Sequence, residues 1–191
     1  MNGFTRVSSR AVAWAAVGIL ALGMLAPVRA QTFKFANQGD ALSMDPHSLN
    51  ESLQLSFTGN LYEPLIGRGK KLELVPALAT DWKQTAPTVW RFNLRKNVKF
   101  HDGTPFTADD VIFTAQYAGD PAAAMTTVNV YKDIKVIKVD SHTVRIDFPK
   151  PTPFWAEPLV GSVGLILPKH VFEPFMGAKS RENPANLKAV G

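Results

Sequence analysis

Apolar and polar residues alternate most clearly between Trp90 and Val111. Trp90, Phe92 and Leu94 interleave with Arg91, Asn93 and Arg95, which predicts a strand with one buried and one wet face. Val98 and Phe100 resume the alternation beyond a turn at Lys96-Asn97, so a second short strand is expected there. His101-Asp102-Gly103-Thr104-Pro105 gathers turn formers, with Gly103 free to take positive φ and Pro105 fixing its own. Thr107 then has the chemistry of an N-cap, and Asp110 can reach back to it as a capping box. Phe106 and Val111 have the spacing of a hydrophobic staple. The helix so started is expected to run over 108–118, where Gly119-Asp120-Pro121 ends it.

The rest of the chain has weaker patterns. Thr32–Ala36 predicts a short strand, and Ser43-Met44-Asp45-Pro46-His47 a turn, since a residue before proline avoids the helical region. Ser48 and Glu51 have capping-box spacing, and Leu49, Leu53, Phe57 and Leu61 make a stripe on a helix that must stop before Pro64. Gly67–Lys71 is expected as a solvated hairpin tip. Further on, Ile134 and Val136 share one parity while Ile137 and Val139 take the other, which a bulge or burial on both faces would explain. Val144, Ile146 and Phe148 follow a turn at Asp140-Ser141-His142, completing a hairpin. Pro149–Pro158 predicts an extended surface segment exposing Phe154 and Trp155, and the tail from Ala178 is polar and irregular.

Composition narrows the function. A chain of 191 residues with 46% hydrophobic content can bury a real core. There is no cysteine, which removes disulfides, thiolate zinc sites and cysteine nucleophiles. The +5 charge suggests a nucleic-acid partner until its location is considered. Arg6, Arg10 and Arg29 lie in a first stretch of thirty residues without acids; removing them from the 21 basic residues leaves 18 against 16 acidic, a balance of +2. So slight an excess offers little to phosphate backbones, and no nucleic-acid partner is expected. The same thirty residues have the layout of a secretory leader: two early arginines, an uncharged run over 11–25, and Val28-Arg29-Ala30 before a cut after Ala30. An uncleaved anchor is the alternative, but the run is short for a membrane span.

Catalytic motifs are missing. His47, His101, His142 and His170 sit in separate turns without ligand spacing, so no metal site is expected. Asp109-Asp110 could be paired carboxylates, but acids in a first helical turn are favoured by the helix dipole alone. Gly161-Ser162-Val163-Gly164 falls one residue short of a nucleophile elbow. No catalytic residue and no cofactor is assigned. Trp82, Trp90, Phe92 and Phe100 could line a groove, although aromatics at strand spacing are more often core. Better ligand candidates are turn and helix-end residues, which face clefts more often: Met44, Asp45, Asn60, Tyr62 and Glu63.

The run Leu94–Val111 closely resembles the signature of family 5 extracellular solute-binding proteins, the peptide/nickel-type receptors of ABC importers. So do Met44-Asp45-Pro46-His47, Asn60–Leu65, Val75-Pro76-Ala77-Leu78-Ala79 followed by Trp82, and Ile166–Phe172. The resemblance implies an α/β, periplasmic-binding-protein-like fold (type II) of which only the N-terminal part of the first lobe is present, since Val190-Gly191 resembles the middle of the family's Pro-Val-Gly-Thr-Gly-Pro-Tyr element. It also implies an organisation: signal peptide 1–30, the ligand-cleft side of the first lobe over 31–74, an inserted β-rich subdomain over 75–177, and a return segment over 178–191. The function it implies is a monomeric periplasmic receptor, taking short peptides or similar small solutes to an ABC permease in the inner membrane. The alternatives weighed against it are a structural or adaptor module without ligand binding and a secreted hydrolase.

Overall fold

The computed structural model describes residues 39–191 except Ala124; the leader over 1–30 and the strand expected at Thr32–Ala36 lie outside the described residues. Among the described residues no helix is long and apolar enough to cross a membrane.

The alternation around Phe92 builds the centre of a four-stranded antiparallel sheet. Its strands are β3 (Ala79–Ala86), β4 (Val89–Leu94), β5 (Lys135–Asp140) and β6 (Thr143–Asp147), in the order β3-β4-β6-β5. A separate hairpin pairs β1 (Ile66–Arg68) with β2 (Leu74–Pro76), and its tip at Lys70-Lys71 is solvated as expected. Phe92, Val144 and Ile146 are fully buried on the inner face of the large sheet, together with Ile66 of the small one and Leu65 just before it. Val98 and Phe100 do not form the second strand expected of them. Asn97 takes a φ of 60°, and beyond it the backbone makes only a bridge between Lys99 and Pro105, although Phe100 is buried.

The helix signals after this corner were local and strong, and the helix forms with the expected bounds, Ala108–Ala118. Thr107 caps it: its hydroxyl accepts from Asp109 N–H at 3.3 Å, while its own N–H donates to Asp110 Oδ2 at 2.8 Å. Phe106 and Val111 are both buried in the sheet's core. The helix (α2, since a shorter one precedes it) separates two apolar clusters. Ala108 and Val111 face the sheet, whereas Phe113 and Tyr117 meet Tyr62, Leu165, Leu167 and Phe172.

The preceding helix, α1, is shorter than its pattern predicts, Ser52–Thr58, and the Ser48–Glu51 capping box does not form. Ser48 Oγ donates instead to Asp45 O at 2.9 Å. The face of α1 that is buried carries Gln54 and Thr58, while Leu49, Leu53, Phe57 and Leu61 are half-buried. Polar partners on the preceding turn capture Gln54, and that outweighs the apolar stripe. In β5, Ile137 and Val139 face solvent, and the bulge falls at Val139, between Lys138 and Asp140. Trp155 is not exposed as expected: its ring stacks on Trp90 at 3.7 Å, leaving only Phe154 in solvent. Short helices follow at Val128–Tyr131 (α3) and Lys169–Phe172 (α4), and the tail is a series of 3₁₀ turns.

Candidate functional site

The turn predicted around Asp45-Pro46 is the junction of the second cluster. Pro46 keeps Asp45 extended, and the Asp45 carboxylate turns inward, where it is 1% exposed. Its Oδ1 accepts the N–H of His47 at 2.9 Å and its Oδ2 accepts the Tyr117 hydroxyl at 2.8 Å. His47 is fully buried: Nε2 lies 2.9 Å from Leu165 O, and Nδ1 lies 3.4 Å from Thr127 Oγ1. Burial holds its pKa below 6.5, against the pull of Asp45 and the Leu165 carbonyl, so the neutral ring can donate at Nε2 and accept at Nδ1. Burial, with the Asp45 charge added, pushes the Tyr62 and Tyr117 hydroxyls upward, so both remain protonated donors.

The same turn is tied to distant parts of the chain. Gln54 Nε2 donates to Ser43 O and Asp45 O, joining it to α1. Met44 N–H donates to Asn186 O at 2.8 Å, and Ser43 Oγ to Asn186 Oδ1 at 3.4 Å, joining it to the tail. Thr126 N–H donates to His47 O at 2.9 Å. Two hydroxyls in this region are buried without a partner, Tyr62 Oη and Ser180 Oγ.

Two open cavities flank the segment 42–63. One, of about 450 Å³, has Asp45, Ser43, Ser180, Asn183 and Asn186 on its polar side. Leu42 and Leu187 stand at it 70% and 86% exposed. The other, of about 470 Å³, is lined by Asn60, Tyr62, Glu63, Lys99, His101 and Gly191. The structure therefore separates the sequence candidates. Asp45 belongs to the first cavity; Asn60, Tyr62 and Glu63 belong to the second; Met44 is half-buried between α1 and the tail. Asn60 and Glu63 are exposed, whereas Tyr62 is 3% exposed.

Gln54, Tyr117, Ser180, Asn183 and Asn186 were not singled out by sequence reasoning. The one available signal was a glutamine between the apolar positions of the α1 stripe. At the corner, His101 N–H donates to Gly191 O at 2.7 Å, and Asp102 Oδ2 lies 2.5 Å from His170 Nε2. That bond holds the Asp102 carboxyl at about 2. Among the described residues no three ligating side chains come together as a metal site, and the elbow-like Gly161–Gly164 stretch is a 3₁₀ turn.

Comparison with known proteins agrees with this architecture. The model of bacterial extracellular solute-binding proteins, family 5 Middle, matches residues 73–191. The periplasmic murein peptide-binding protein MppA of Escherichia coli is 33% identical over 131 residues, covering 59% of this chain and 24% of its own. The periplasmic oligopeptide-binding protein OppA of the same organism is 27% identical over 179 residues, 84% of this chain and 33% of its own. Among solved structures, the oligopeptide-binding protein AppA from Bacillus subtilis, in complex with a nonapeptide, superposes with a TM-score of 0.74 at 25% identity. That superposition covers 81% of this chain and 31% of AppA. The chain thus spans between a quarter and a third of the length of these relatives, and the structure is part of the first lobe of their α/β fold.

Proposed function

Because the chain belongs to the family 5 bacterial extracellular solute-binding proteins, we propose that it supplies one wall of the solute cleft of a periplasmic receptor that delivers short peptides to an ABC permease. The likeness to a receptor solved with a nonapeptide carries this reading. Its relatives are peptide-binding proteins of the periplasm, which supports a binding role. In this reading residues 31–74 form the ligand-cleft side of the first lobe, 75–177 its inserted β-rich subdomain and 178–191 the return segment. The leader over 1–30 carries the chain to the periplasm and is removed, and the receptor works as a monomer.

The five candidates then take different roles. Exposed Asn60 and Glu63 touch solute directly, one offering an amide and the other a carboxylate. Met44 adds an adaptable apolar surface. Asp45 and Tyr62, both buried, shape the wall from behind. Closure of a second wall over the solute would remove the water that otherwise competes with these polar contacts.

The test is to purify the native gene product from the periplasm without denaturation, then release and identify its bound solutes by mass spectrometry. Short peptides are the expected finding. A nickel chelate or sugar in their place, with no peptide, would overturn the peptide reading. Intact-mass analysis of the same sample is expected to show a chain lacking residues 1–30; one still beginning at Met1 would contradict the leader.

A further inference from the structure

We infer that the solvent face of the four-stranded sheet is a docking surface for an acidic helix on a partner protein, a role independent of the solute reading. Cross-strand register puts Lys83 opposite Arg91, Arg91 opposite Arg145, and Arg145 opposite Ile137. Directly opposed residues share a face, so three cations and an isoleucine form one row across β3, β4, β6 and β5. All four are exposed, Ile137 at 36%, with Val139 beside it at 49%.

Like charges directly opposite one another on neighbouring strands are unfavourable, and here two such pairs are consecutive. The acids of the same face relieve Arg145 but neither Lys83 nor Arg91. Asp147 is engaged by Arg145 Nε and Nη2, both at 2.9 Å. Asp81 accepts from Asn93 Nδ2 at 2.7 Å and from Thr80 Oγ1 at 3.0 Å. Asp140 accepts the N–H of His142 at 2.8 Å and feels Arg91 only at longer range. Among the described residues, neither Lys83 nor Arg91 has an ion-pair partner. Lys83 and Arg91 therefore remain unopposed beside Arg145, whose charge Asp147 balances, and the row ends in exposed apolar surface.

The spacing selects the partner. Neighbouring strands lie about 4.8 Å apart, so the cations repeat at that interval. Residues three and four apart on a helix lie about 5–6 Å apart, which nearly matches. Alternate residues of an extended strand lie about 7 Å apart and drift out of step within two positions. A helix laid across the strands, with acids on three successive turns and an apolar residue on the next, meets Lys83, Arg91, Arg145 and Ile137 in order.

The probe is a fluorescein-labelled helical peptide with Glu at every fourth position over three turns and Leu one turn further, titrated into the protein with fluorescence anisotropy as readout. Binding that weakens with added salt is expected, while the same peptide with Lys for Glu does not bind. The Lys83→Glu, Arg91→Glu double variant should bind the Glu peptide about tenfold more weakly and gain affinity for the Lys peptide. The milder Lys83→Gln, Arg91→Gln pair should also bind more weakly, and its circular dichroism serves as the check that the sheet is intact. Unchanged binding by the folded Gln pair would overturn the proposal. So would equal affinity of the protein for the Glu and Lys peptides, or binding to phosphatidylglycerol vesicles without binding to the Glu peptide.

Discussion

The two apolar clusters on either side of α2 are held together by different means. On the sheet side, Phe92, Val144 and Ile146 are fully buried and their neighbours are apolar. On the other side, burial is shared with Asp45, His47, Gln54, Asn183 and Ser180, which are at most 3% exposed. The first region gains stability from area removed from water, which is tolerant of direction. The second depends on each buried polar group meeting a partner, and Tyr62 Oη and Ser180 Oγ do not. The first cavity, with exposed Leu42 and Leu187, lies on this second side, while the second cavity is shared between Tyr62 of this side and Leu78, Phe100, Phe106 and Ile166 of the sheet side. In the proposed function the sheet is accordingly the scaffold, and the polar junction is the part offered to solute.

The largest effect expected from this contrast is in the scaffold. Phe92→Ala removes a fully buried ring and should cost about 3–5 kcal/mol in urea unfolding. A loss below 1 kcal/mol would mean that the sheet core can collapse around the gap. At the junction, Asp45→Ala strips the acceptor from the Tyr117 hydroxyl and the His47 N–H. A cost of about 1–3 kcal/mol is expected for leaving such donors buried and unpaired. Adding Tyr117→Phe should recover part of it, because one orphan is then removed; no recovery would place the Asp45 contribution elsewhere.

The junction should also be sensitive to pH through His47. Its folded pKa lies below 6.5 because the ring is buried, so the unfolded chain binds the proton more readily. This contribution is full above 6.5 and is lost as pH falls below it, a loss that should be much smaller in His47→Gln. Identical acid profiles for the two proteins would show that His47 is not the sensor. The smallest effect is at the corner, where Thr107→Ala should cost about 1 kcal/mol by leaving a helix N–H without its cap. An unchanged midpoint would remove Thr107 from that role.

This contrast also explains what could be read from the sequence. The capping box at Thr107 and Asp110 spans four residues, and the strand at Phe92 needs only its own alternation, so both were legible. The junction draws on Ser43, Gln54, Tyr117, Thr127, Leu165 and Asn186, brought together from six parts of the chain; no local pattern contains that arrangement. The same non-local pairing buried Gln54 and Thr58 rather than the leucine stripe of α1. In β5 the parity of Ile137 and Val139 was plain, but an exposed apolar residue and a buried one look alike in sequence. Asp45 and Tyr62 were recognised as notable, yet their burial behind the surface was not foreseeable from a turn and a helix end.

Amide hydrogen exchange of the native gene product purified from the periplasm, with and without a mixture of di- to tetrapeptides at millimolar concentration, tests the division between scaffold and solute wall most directly. Without peptide, the amides of Phe92, Val144 and Ile146 should exchange only by global unfolding, and those of Met44, His47 and Ala185 by cheaper local opening. With peptide, slowing should be confined to residues 42–63 and 180–187 while the sheet amides stay unchanged. Slowing across the sheet with none in those two segments would contradict the account.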